Sequence, residues 1–72
     1  MPCVSPDGTP TESGVKMLSA VKAGHSSAED IATASGLALF RVRSGIRDLV
    51  VAGYVKDVDG SYTLTDQGAN YL

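Results

Sequence analysis

At 72 residues and 7.4 kDa, with 43% apolar and 19% charged side chains, the chain holds one domain near the lower limit for independent folding and is too apolar for a disordered segment. One cysteine, Cys3, and one histidine, His25, exclude an intrachain disulfide and leave no ligand set for a structural zinc. The formal net charge of −2 argues against indiscriminate attraction to nucleic acid.

Pro2, Ser5, Pro6, Asp7 and Gly8 make residues 1–8 a breaker-rich stretch, expected to be a turn or flexible arm ahead of a domain over 9–72. It lacks the basic start and apolar run of a signal peptide, and no segment approaches the roughly 18 consecutive apolar residues of a membrane span. The expectation is a soluble cytoplasmic protein. Cys3, with no basic residue nearby to lower its pKa, reads as an incidental thiol. Thr9 as cap, Pro10 in the first turn and Glu12 as capping carboxylate predict a first helix running to about Ala23. Val15, Met17, Leu18 and Val21 form its apolar side, and Gly24 ends it.

Ser26 and Glu29 repeat the capping-box arrangement and open a second, alanine-rich helix through Ile31 to about Ala34. Ala28, Ala32 and Ala34 would let a neighbouring helix approach closely, and Ser35-Gly36 breaks the run. A third helix follows after Leu37 and closes at Gly53. Gly45 inside it costs about 1 kcal/mol relative to alanine, which close packing against the second helix would explain. From Tyr54 the periodicity becomes alternating. Val55 to Val58 and Ser61 to Leu64 flank Asp59-Gly60, the strongest short-range hairpin signal, with Val58 opposite Ser61. Thr65 then caps a short last helix.

The third helix carries two sets of residues. Leu37, Val42, Ile46 and Leu49 read as a buried stripe, whereas Phe40, Ser44 and Arg47 point away and Arg41 and Arg43 flank them. From Leu37 to Lys56, Arg41, Arg43, Arg47 and Lys56 face the single acid Asp48, a local positive excess on an acidic chain. A helix packed on one side and presenting arginines on the other suits a major groove.

Three helices and then a hairpin is the winged helix-turn-helix order. Ile31-Ala32, Ser35-Gly36-Leu37, the Val42, Ile46 and Leu49 spacing, Ala52-Gly53-Tyr54-Val55, and Leu64-Thr65 with Gly68 resemble bacterial and archaeal winged-helix regulators of the MarR and ArsR type. The resemblance implies an α+β winged helix-turn-helix fold, with the third helix in the major groove and the hairpin as wing. By position, it implies that Leu39, Phe40, Arg41, Arg43, Ser44 and Arg47 face DNA, with Lys56, Gly60 and Ser61 near phosphate. Asp57 and Asp59 depart from the basic wing of that family, and Phe40 is large and apolar for a groove-facing site.

The expected function is therefore that of a double-stranded DNA-binding protein, a small transcriptional regulator. A single such domain offers only roughly 600–1,000 Å² to DNA, so useful affinity calls for a homodimer on a pseudo-palindrome or a protein partner. The competing expectation is a winged-helix protein-interaction module presenting Leu39, Phe40 and Val51. For Phe40, burial under the first helix, contact with a thymine methyl and an exposed protein-binding patch all remain open. His25 reads as a loop residue, and Tyr54, Tyr62 and Tyr71 as packing for the core and wing base. No nucleophile and base constellation, phosphate loop or metal-ligand spacing appears in the sequence, so no enzymatic activity, cofactor or metal is expected.

Overall fold

The computed structural model describes residues 4–72; Cys3 and its reading lie outside the described residues. Three helices, α1 (Glu12–Lys22), α2 (Ala28–Ser35) and α3 (Leu39–Ala52), precede an antiparallel hairpin of β1 (Val55–Val58) and β2 (Ser61–Leu64), and α4 (Asp66–Tyr71) follows. This is an α+β winged helix. The core lies where the three helices meet the base of the hairpin. Met17 and Leu18 of α1, Ile31 of α2, Val42, Ile46 and Leu49 of α3, and Val55 of β1 are its fully buried large side chains.

The helix ends follow local chemistry, with shifts from the expected caps. Thr11, not Thr9, caps α1 by accepting from the Gly14 amide at 3.4 Å. Thr9 is occupied elsewhere: its amide and hydroxyl both donate to Asp7 Oδ1, at 3.1 and 2.7 Å. Pro10, expected in the first turn, instead pairs with Val4 in an isolated bridge. Residues 4–10 close into a turn, and the Tyr54 hydroxyl donates to the Gly8 carbonyl at 2.7 Å. In α2 the cap is Ser27, accepting from the Asp30 amide at 3.1 Å, one residue beyond the expected Ser26–Glu29 box. Ser26 serves the sheet instead, its carbonyl accepting from the Tyr62 amide at 2.9 Å.

Gly36 ends α2 with φ +75° and Gly53 ends α3 with φ +92°, left-handed positions that a side chain would strain. The short link between α2 and α3 places Leu37 before the helix. At about 100° per residue Leu37 would in any case stand about 140° from Val42, so it meets the core half-buried from the turn and not as part of the α3 stripe. Gly45 is buried in α3.

The hairpin has the expected register, Val55 opposite Leu64 and Val58 opposite Ser61. Asp59 and Gly60 both take positive φ, +52° and +85°, the type I′ geometry whose twist matches the strands. The Asp57 carboxylate accepts from the Gly60 amide at 3.0 Å and fastens the turn.

At the exit of the hairpin, α4 folds back on the end of α3. Thr65 caps it by accepting from the Gly68 amide at 3.1 Å and donates its hydroxyl to the Gly53 carbonyl. Gln67 donates to the Ala52 carbonyl at 3.2 Å, so the last carbonyl of α3 and that of its C-cap Gly53 receive side-chain donors. Tyr71 meets the buried Tyr54 ring edge-on, centroids 5.8 Å apart. Among the described residues no helix is long and apolar enough to cross a membrane.

Candidate functional site

The outward face of α3 is fixed by what its inward face buries. Val42, Gly45, Ile46 and Leu49 are buried, which turns Phe40, Ser44, Arg47 and Val51 to the opposite side. At about 100° per residue those four lie within roughly 60° of one another and form a single ridge. All four are exposed, Phe40 by 74% and Val51 by 83%. Burial of Phe40 under α1 is therefore excluded. Arg43 flanks the ridge, 64% exposed, and its guanidinium lies 3.6 Å from the Glu29 carboxylate of α2. That pair is open to water, where such contacts contribute little to stability.

The other expected site residues divide. Leu39 is half-buried at the start of α3, and Arg41 is half-buried beside a cleft bounded by Thr11, Glu12, Ser13, Lys16 and Leu37. Neither belongs to the ridge. Lys56, Gly60 and Ser61 are exposed on the hairpin, where the neighbouring Asp57 and Asp59 are exposed too. The wing thus presents two carboxylates beside its one lysine. Val58, half exposed at 50%, is an apolar wing residue that the expected site omits. Its position in an alternating strand opposite Ser61 was the signal for it.

Beside Val51, Val4, Asp48 and Ala52 bound an open cleft of about 330 Å³. A second, larger concavity of about 490 Å³ lies between α1 and α2, lined by Lys16, Ser19, His25 and Ser35 among small apolar side chains. His25 is half-buried there. Among the described residues no three His, Cys, Asp or Glu side chains converge as a metal-binding group. The arrangement is a ridge with apolar ends and a basic middle, suited to contact with a macromolecular surface and without a nucleophile held against a base.

Fold and surface together define a small winged-helix unit. No protein-family model and no curated protein sequence matches the chain. Among solved structures, the chain is similar to crystal structures of an O-methyltransferase (NcsB1) from neocarzinostatin biosynthesis. The complex with S-adenosyl-L-homocysteine superposes with a TM-score of 0.69 at 30% identity over 78% of this chain and 19% of that chain. The complex with S-adenosylmethionine and 2-hydroxy-5-methyl naphthoic acid gives 0.72 at 29% identity over 81% and 18%. The chain thus spans about a fifth of the length of these methyltransferase chains. These similarities support the winged-helix unit and not the particular likeness to MarR- or ArsR-type regulators.

Proposed function

We propose that this chain is a non-catalytic winged-helix module that binds protein through the outward face of α3. The observation that carries the reading is the pair Phe40 and Val51, 74% and 83% exposed on a helix whose other side is fully packed. They stand at the two ends of one outward ridge, where each can serve as an anchor that a protein partner covers. Two further observations support it. The chain is acidic overall, with aspartates in the hairpin where phosphate contact would need cations. Its structural neighbour is an O-methyltransferase of whose chain it spans about a fifth, a size that fits a module within or beside a larger protein. No methyl-transfer step is assigned to this fifth.

Double-stranded DNA is the second reading, favoured by Arg43 and Arg47, both exposed on α3, and by the winged-helix fold. In that reading α3 enters the major groove, the hairpin lies near phosphate and the chain regulates transcription, alone or as a dimer.

A titration of backbone amide shifts with random duplex DNA at low salt, repeated near physiological salt, separates the two. The protein-binding reading expects no clustered response. Shifts on Phe40 to Arg47 and Lys56 to Ser61 that fade as salt rises would overturn it in favour of DNA, because each phosphate contact releases counterions and makes binding salt-dependent.

A further inference from the structure

We infer that the partner of the α3 face is an acidic amphipathic helix with two apolar anchors spaced as Phe40 and Val51 are; this rests on the protein-binding reading above. The face has one long axis. Phe40 and Val51 stand eleven residues apart on a continuous helix, about 16 Å at 1.5 Å per residue, and Ser44 and Arg47 lie between them along the same ridge. A ridge of this kind packs into the groove of another helix at interaxial distances of about 8–10 Å. A partner running alongside α3 meets an apolar group at each end and a cation in the middle.

Charge complementarity fixes the chemistry of that partner. The middle of the ridge carries Arg47; Arg43 on its flank is already paired with Glu29 of α2, and Asp48 is the only acid of α3 itself. A basic or neutral partner helix would bury the Arg47 guanidinium without a counter-charge, which is costly. A partner carboxylate about two turns from its first apolar anchor would meet it. The cleft beside Val51, bounded by Val4, Asp48 and Ala52, receives the second anchor. The serine between the apolar ends is small enough to let the two backbones approach.

The probe is a lactam-constrained helical peptide of about five turns, with leucines at the Phe40–Val51 spacing, glutamates between them and alanine elsewhere. Binding to the full chain is followed by amide shifts and by fluorescence anisotropy. The expected result is shifts confined to α3 and the Val4 turn, a loss of at least about tenfold in affinity for Phe40→Ala and for Arg47→Glu, and recovery in Arg47→Glu when lysines replace the peptide glutamates. All the substituted side chains are exposed, so unchanged thermal unfolding accompanies each variant. Equal affinity for the glutamate and lysine peptides, or binding unaffected by Arg47→Glu, overturns the acidic helix while leaving a protein-binding face intact. No peptide binding together with salt-sensitive duplex binding at α3 overturns both this inference and the reading on which it rests.

Discussion

Replacing Gly68 with alanine tests how tightly α4 is docked, and its sign runs against expectation for a helix. Inside a helix, glycine to alanine is ordinarily favourable by about 1 kcal/mol. Here the added Cβ would overlap the Tyr54 carbonyl oxygen and lie 3.1 Å from Leu64 Cδ2. The first of these is backbone and accepts from the Thr65 amide at 3.2 Å, so it cannot swing aside as a side-chain tip would. Relief requires α4 to lift. That lengthens the Thr65 hydroxyl bond to Gly53 and the Gln67 bond to Ala52 and opens the Tyr71 contact with Tyr54. Overpacking of this kind costs about 1–3 kcal/mol, enough to exceed the helix-propensity gain. A backbone overlap falls in the upper half of that range, so about 1–2 kcal/mol remains after the propensity gain; at roughly 4–8 °C per kcal/mol in a domain of this size, Gly68→Ala is expected to lower Tm by roughly 4–16 °C in a circular dichroism melt. An unchanged or raised Tm would refute the docking of α4 against the hairpin base.

Three other expectations follow from the packing. Tyr54→Phe removes the hydroxyl that donates to the Gly8 carbonyl at 2.7 Å, costing about 0.5–1.5 kcal/mol, and hydrogen exchange should quicken at the Ser5 and Gly8 amides while the helices keep theirs. Ile31→Ala empties a fully buried site and costs about 2–5 kcal/mol, a large part of the roughly 4–11 kcal/mol available to a chain this short; denaturant unfolding should show it. The Thr9 hydroxyl, and then the Thr9 amide, hold the Asp7 carboxyl below its ordinary value of 3.8. A depressed folded-state pKa favours folding above the unfolded value, and that contribution is lost as pH falls through the folded one. The carboxyl shift of Asp7 should therefore titrate with a midpoint below 3.8, and Thr9→Val should bring it back toward that value.

Periodicity and breakers carried most of the fold in the sequence. Gly36 and Gly53 stop their helices where expected because only glycine takes the left-handed turn without strain, and Asp59-Gly60 sets the hairpin register unaided. The caps were less legible. Thr9, Thr11 and Ser13 alternate through the α1 start, and Ser26 and Ser27 are adjacent at the α2 start. Several registers therefore satisfy the same hydroxyl pattern, and the choice is made by distant partners: the Asp7 carboxylate for Thr9 and the Tyr62 amide for Ser26. Gly68 stood in the sequence only as part of a resemblance. Its cause is the Tyr54 carbonyl, fourteen residues earlier in the chain.

The candidate site was legible as a direction and not as a chemistry. Spacing alone turns Phe40, Ser44 and Arg47 away from the core, and the structure exposes all three. For Phe40 that geometry competed with the general tendency of aromatic rings to be buried, and the geometry prevailed. The reason is the shared rigidity of the helix: covering Phe40 and Val51 would require turning α3 by about half a turn, which would expose Val42, Ile46 and Leu49, all fully buried. Burial of one such side chain contributes about 1.5–3 kcal/mol, so the three inward residues outweigh the two outward ones. The outward apolar pair is then surplus to folding, and its removal should cost nothing. A Phe40→Ser, Val51→Ser double variant is expected to unfold within about 0.5 kcal/mol of the parent chain, as exposed substitutions do, while losing any partner of the α3 face. A stability loss above about 1 kcal/mol would show that these side chains pack within the monomer, and the interaction surface would then have to be sought elsewhere on the domain.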